Sequence, residues 1–161
     1  MNEEEQTRDV YAHFGLALYL AQVVEHGIVN AMVAARLPYR SGVTRGDIDA
    51  FMCDQFEKPL GRLIGALGEH IAVPDTLSTK LHEALGRRNW LAHRYFRERA
   101  VEFMNETGRS QMIDELQHAQ ALFHEVDATL SAIVRPIEER HGITKDTLAK
   151  CESELLGIND G

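Results

Sequence analysis

Apolar residues recur along the chain at three- and four-residue intervals. Nowhere do they alternate with polar ones over a run bounded by turn residues. That period belongs to helices rather than strands. The first segment, about residues 5–36, sets Val10, Phe14, Ala17, Leu18, Ala21, Val24 and Ile28 on one stripe. Leu16, Leu20, Val23 and Val29 fall off that stripe, so the helix is apolar on more than one side and must meet more than one neighbour. Leu37-Pro38 ends it. Residues 39–46 read as a loop, and a second helix follows over about 47–69 with Pro59 inside it, which predicts a kink. Gly61, Gly65 and Gly68 share one face of that helix, which predicts a close approach by another helix. Val73-Pro74-Asp75 breaks the pattern. A third helix is expected over about 75–104, with Asp75 as its N-cap. Residues 105–109 read as a turn. The fourth helix, about 110–141, carries Leu116, Ala119, Phe123, Val126, Leu130, Ile133 and Ile137 at alternating steps of three and four, a coiled-coil-like seam. Pro136 is expected to kink its end and Gly142 to terminate it. Thr144 can cap a short last helix to about residue 155, with 157–161 frayed. The expected fold is therefore all-α: an up-down bundle of four long helices plus a short fifth, in one domain over residues 1–161.

Composition narrows the classes of function. A chain of 161 residues, 44% hydrophobic and 26% charged, suits one globular domain with a real core. Its net charge of −8 argues against coating nucleic acid through overall charge. Cys53 and Cys151 form no CxxC pair and read as free thiols in a reducing compartment. The acidic start MNEEE does not resemble a leader peptide, and the longest uninterrupted apolar run, residues 14–21, is far shorter than the ~18 residues of a membrane helix. A cytoplasmic protein without a membrane anchor is the expectation.

Most motifs that carry chemistry are absent. There is no phosphate-binding glycine loop, nucleophile elbow or HExxH turn. Glu115-x-x-His118 is a lone ExxH turn, whereas a di-iron bundle needs two such turns and two more carboxylates. A solvated polar face accounts for it, and no metal or other cofactor is expected. Tyr11, Tyr19 and Trp90 read as packing aromatics.

Residues 85–99, LGRRNWLAHRYFRER, stand apart. Arg87, Arg88, Arg94, Arg97 and Arg99 lie there with Glu98 as the only acid, a local balance of +4 that leaves −12 for the rest of the chain. Such a run is often only a solvated face. Arginine without lysine, however, suits bidentate phosphate binding, and an acidic surround focuses an anion on the basic spot. Within the run, Arg88 and His93 are separated by four residues. Chance alone supplies roughly 0.65 such pairs in a chain of this composition; requiring Asn89 directly after the arginine lowers this to roughly 0.02, and Tyr95 lowers it further.

This segment resembles the HEPN family, whose mark is R-N-x-x-x-H on a late helix of an α-helical bundle, here Arg88, Asn89 and His93. The extended form R-x4-H-x-Y, with Tyr95 last, is similar to that of HEPN toxins paired with small nucleotidyltransferase antitoxins. The resemblance implies a homodimer with both motifs at one cleft and a metal-independent endoribonuclease, a toxin or defence effector. In that chemistry the ribose 2′-hydroxyl attacks its own phosphate. His93 would take or give the proton, since an imidazole titrates near pH ~6.5. Arg88 would bind the phosphate and the charge of the transition state. Asn89 would orient either of them, and Arg87, Arg94 and Arg97 would hold flanking phosphates. Tyr95 would stack a base, donate a hydrogen bond, or be the hydroxyl that a nucleotidyltransferase partner modifies.

Two other readings stay open. Arg88 and His93 can belong to an ordinary interhelical network with Glu25, Glu57 or Glu69. The chain can also be a non-catalytic helical module that binds a nucleotide or a protein.

Overall fold

The computed structural model describes residues 2–36, 44–140 and 142. Among them the chain is all-α, with no strand: α1 (Glu3–Arg36), α2 (Arg45–Phe56), α3 (Leu60–His70), α4 (Asp75–His93), α5 (Tyr95–Glu98), α6 (Ala100–Phe103) and α7 (Glu106–Arg140). The expected helix over 144–155, Cys151 and the tail 157–161 lie outside the described residues.

Two helices of 34 and 35 residues, α1 and α7, form the spine and share the most extensive contact. The α7 seam is buried at Met112, Leu116, Ala119, Phe123, Val126 and Leu130. It then departs from the expected line: Val134 is buried, while Ile133 and Ile137 are half-buried. An α-helix has 3.6 residues per turn, so a strict 3.5-residue seam drifts by ~20° per heptad and the buried stripe steps over to the next residue. α7 runs through Pro136 to Arg140, and Gly142 after it takes a φ of +78°, as a helix terminus closed by glycine does.

The second and third expected helices are each broken. Pro59 does not kink one helix; it separates α2 from α3 and sits at the N-cap of α3 with ψ 146°. There its missing N–H costs nothing, and it holds Lys58 out of the helical region. α2 starts earlier than its apolar pattern, at Arg45. Thr44 and Asp47 form a reciprocal capping box, with Asp47 N–H donating to Thr44 Oγ1 (3.2 Å) and Thr44 N–H to Asp47 Oδ2 (2.9 Å). Asp75 is the first helical residue of α4 rather than its cap, which is Pro74. The glycine face of α3 is mostly open: a Cβ on Gly61 would touch Leu85, but one on Gly65 or Gly68 would touch nothing.

By length and composition α1 is apolar enough to cross a membrane, with a mean hydropathy of 1.4 over eighteen residues, a property that its longest unbroken apolar run conceals. Burial accounts for part of that composition, since 44% of that stretch is buried. Val10, Ala17, Val24 and Ile28 are in the core, and α7, α3, α2 and α4 all pack on it.

Candidate functional site

The motif lies on the last two turns of α4. The sequence pattern predicts helix to residue 104, but the chain leaves the helical region at Arg94 (φ −134°, ψ −20°) and bends again at Arg99 (φ −106°, ψ 19°). Aromatic packing dictates the path. Phe96 meets Phe14 at 4.8 Å and Tyr11 at 5.7 Å, and Phe103 meets Tyr11 at 5.6 Å, so the two single-turn helices α5 and α6 wrap around the start of α1. Asn105 caps α7 behind them, its Oδ1 accepting from Gly108 N–H at 2.8 Å. Gly108 is required there, because a Cβ would overlap the backbone of Glu102.

Arg88, at the core boundary, is half-buried. Its Nε lies 3.3 Å from Glu25 Oε1 on α1, and its Nη1 donates to Asn89 Oδ1 at 3.2 Å. The Glu25 contact is a charge contact without hydrogen-bond alignment, and Glu25 Oε1, shut off from solvent, accepts no hydrogen bond among the described residues. Asn89 and His93 are exposed, and His93 makes no hydrogen bond or ion pair with any described residue. Five helical positions set Arg88 and His93 about 7.5 Å apart along the axis and about 140° around it. One chain therefore brings Arg88 and Asn89 into contact and leaves His93 on a different face.

The remaining arginines divide. Arg87 is half-buried with its guanidinium 5.3 Å from the Trp90 ring. Arg94 is exposed and reaches Glu98 at 3.5 Å. Arg97 is exposed and forms no ion pair among the described residues. Arg99 is committed: its Nε and Nη2 donate to the two oxygens of Glu115 at 2.8 and 2.6 Å, which holds its pKa above the ordinary value, and its guanidinium also faces Trp90. Glu25 and Glu115, from other helices, thus offset about half of the local +4, in which Glu98 is already counted. The same bond engages the carboxylate of the lone ExxH turn. No group of three or more His, Cys, Asp or Glu among the described residues is arranged to hold a metal ion.

Tyr95 departs from its expected roles. It is 1% exposed, stacked on Phe14 at 5.8 Å and edge-on to Trp90 at 4.8 Å. Its hydroxyl donates to the Met112 carbonyl at 3.1 Å. Burial raises its pKa well above that of a free phenol, the Glu115 charge raises it further, and Arg99 opposes them. In this arrangement the ring is closed to a base and the hydroxyl to a modifying enzyme. Trp90 is half-buried, with its Nε1 donating to Glu98 Oε2 at 2.7 Å. Tyr19, expected to pack, is instead 61% exposed.

Sequence reasoning left two partners and one helix boundary undetermined. Glu25 was only one of three candidate partners for Arg88. Glu115 is sixteen residues from Arg99, so no local spacing couples them. The helix end at His93 carries no glycine or proline to announce it. Comparison with protein-family models, curated proteins and solved structures finds no match to this chain.

Proposed function

We propose that this protein is a metal-independent endoribonuclease of HEPN type, acting in the cytoplasm as a toxin or defence effector. The observation that carries the reading is the open end of α4: an exposed, unpartnered imidazole at His93, Arg88 and Asn89 one turn before it, and the exposed Arg94 and Arg97 just after. The ribose 2′-oxygen attacks the adjacent phosphorus while its proton passes to a neutral His93. The bond to the 5′-oxygen breaks, and that oxygen takes a proton from an imidazolium. The products are a 2′,3′-cyclic phosphate and a 5′-hydroxyl. Arg88 turns from Glu25 to the phosphate and meets the charge that builds on its oxygens, the kind of preorganised electrostatic help that is worth most in a partly dry cleft. Arg87, Arg94 and Arg97 contribute flanking phosphate contacts, which makes binding weaken with salt.

Because His93 lies on a different face from Arg88, the proton transfer and the phosphate contact draw on two chains of a homodimer. The burial of Tyr95 removes support for regulation by a nucleotidyltransferase antitoxin acting on its hydroxyl. The test is incubation of purified protein with a defined RNA in excess EDTA. The expected result is cleavage with cyclic-phosphate ends, and a 2′-deoxy sugar placed at the mapped cut protects that linkage. RNA left intact overturns the proposal, as does cutting that persists at the deoxy position.

The Arg88–Glu25 contact favours one second reading, a non-catalytic helical module in which Arg88 is an interhelical tie. In that case Arg88→Ala and Glu25→Gln lower the melting temperature by similar, non-additive amounts, and RNA is bound or ignored but never cut.

A further inference from the structure

Where α1 and α7 begin, the fold builds a polar site that the ribonuclease reading does not use. Arg109, in the first turn of α7, is only 4% exposed. Gln6 Oε1 accepts from its Nε at 2.9 Å, and the Phe103 carbonyl accepts from its Nη1 at 3.0 Å. Gln6 is buried too, and its Nε2 donates to Glu106 O and Ser110 Oγ, both at 2.9 Å. A guanidinium carries five N–H groups. These bonds fix its plane and leave Nη2 without a hydrogen bond among the described residues, yet not shut off from solvent. Arg109 forms one wall of a cavity of about 310 Å³, with Glu3, Gln6, Met104, Asn105 and Glu106 as the others. A cation held this deep calls for a counterion, because taking its charge out of water is costly. Its one ion pair among the described residues is to Glu3, whose Oε1 is 3.5 Å from Nη1 and whose side chain is 79% exposed. Water screens so open a contact.

We infer that this cavity binds a free α-amino acid with an apolar side chain. The lining separates that ligand from a plain anion. Glu3 and Glu106 share the cavity with the guanidinium, and the Glu106 carboxylate makes no hydrogen bond or ion pair with any described residue. Two carboxylates repel a phosphate or a simple carboxylate. They suit a zwitterion, which brings no net charge and carries an ammonium and a carboxylate on one carbon. The ligand carboxylate meets the open edge of Arg109, whose fork matches its two oxygens. The N-termini of α1 and α7, both at the cavity, add to that attraction. The ligand ammonium meets Glu3 and Glu106.

Met104 supplies the apolar wall and is 79% exposed, so a side chain laid over it removes apolar surface from water. Its unbranched thioether adapts to ligand side chains of different shape. The volume is at the small end of the range for small-molecule sites, which fits one amino acid rather than a nucleotide or a peptide. None of the six lining residues belongs to the α4 motif, so binding here does not depend on whether RNA is cut.

The experiment is calorimetric titration of the full chain with L-leucine, N-acetyl-L-leucine, L-leucinamide, glycine and inorganic phosphate. The expected result is saturable binding of L-leucine. The acetylated acid lacks the ammonium and the amide lacks the carboxylate, so each should bind about tenfold more weakly or worse. Glycine, with no side chain to cover Met104, should also bind more weakly than leucine. Arg109→Lys, checked for fold by circular dichroism, should lose leucine binding. Glu106→Gln changes an exposed side chain and keeps the test decisive if the arginine variant does not fold. It should weaken leucine about threefold and leave N-acetyl-L-leucine no weaker. Absence of saturable leucine binding at millimolar concentration overturns the inference. N-acetyl-L-leucine or phosphate binding as tightly as leucine overturns it as well, because either marks a plain anion site. A Glu106→Gln protein that binds leucine as the parent does overturns it too.

Discussion

One basic stretch of thirteen residues contains two kinds of arginine. Arg99 is held by both oxygens of Glu115, beside a buried Tyr95 whose hydroxyl is bonded to Met112. Arg88 touches Glu25 at 3.3 Å without an aligned hydrogen bond, next to an exposed Asn89 and an unpartnered His93. The first group fixes α5 and α6 against α7. The second group does no comparable structural work beyond the loose Glu25 contact. A charge run is therefore not one feature. Its members are sorted by what the rest of the fold brings opposite them, and a side chain left without a structural partner on an ordered helix end is where chemistry can reside.

Mutations on the two sides should separate sharply. Tyr95→Ala empties a fully buried aromatic site and should cost about 3–5 kcal/mol, read as a lower midpoint in chemical denaturation. His93→Ala should stay within about 0.5 kcal/mol of the parent, as an exposed surface change does. Equal losses would erase the distinction. Next in size, Arg99→Ala removes a two-pronged charged contact whose partners are each about two-thirds covered, worth about 1–2 kcal/mol after screening; Arg97→Ala should cost almost nothing by the same assay. Among the changes that remove a packed contact, the smallest effect belongs to Tyr95→Phe, about 1 kcal/mol for one hydrogen bond. It carries a pH signature. The folded phenol is harder to ionise than the free one, so its contribution is complete below the ordinary phenol pKa of ~10 and drains away as the pH rises beyond that value. Thermal melts between pH 9 and 11 should fall for the parent more steeply than for Tyr95→Phe.

The helical periods made the spine readable. α1 runs as its apolar pattern demands, and the α7 seam is right through Leu130. The errors arose where tertiary contacts outweighed local pattern. Residues 94–104 are good helix formers by themselves, yet Phe96 and Phe103 gain more by folding onto Tyr11 than by extending α4. Pro59 was visible as a perturbation, but whether it kinks or separates a helix depends on what α2 and α3 each pack against. At the site, helical spacing by itself sets Arg88 on the stripe of Leu81, Ala84 and Leu91, at the core boundary, and His93 with Asn89 and Arg97 on the open side, where the structure has them. Spacing also sets Tyr95 on the buried stripe of Leu81, Ala84 and Leu91; its outward roles came from the resemblance alone, and Phe14 and Met112 hold it inward. Glu115 was legible only as part of an ExxH turn, since its bond to Arg99 crosses from one helix to another.

The most direct test of the whole account is the rate of RNA cleavage in excess EDTA by three proteins of verified fold: the parent, His93→Ala and Tyr95→Phe. The account predicts cutting by the parent, a loss of about 10²-fold or more in His93→Ala as befits a missing general acid–base, and near-parental cutting by Tyr95→Phe. A parent that leaves RNA whole, or a His93→Ala protein that cuts as well as the parent, would contradict it.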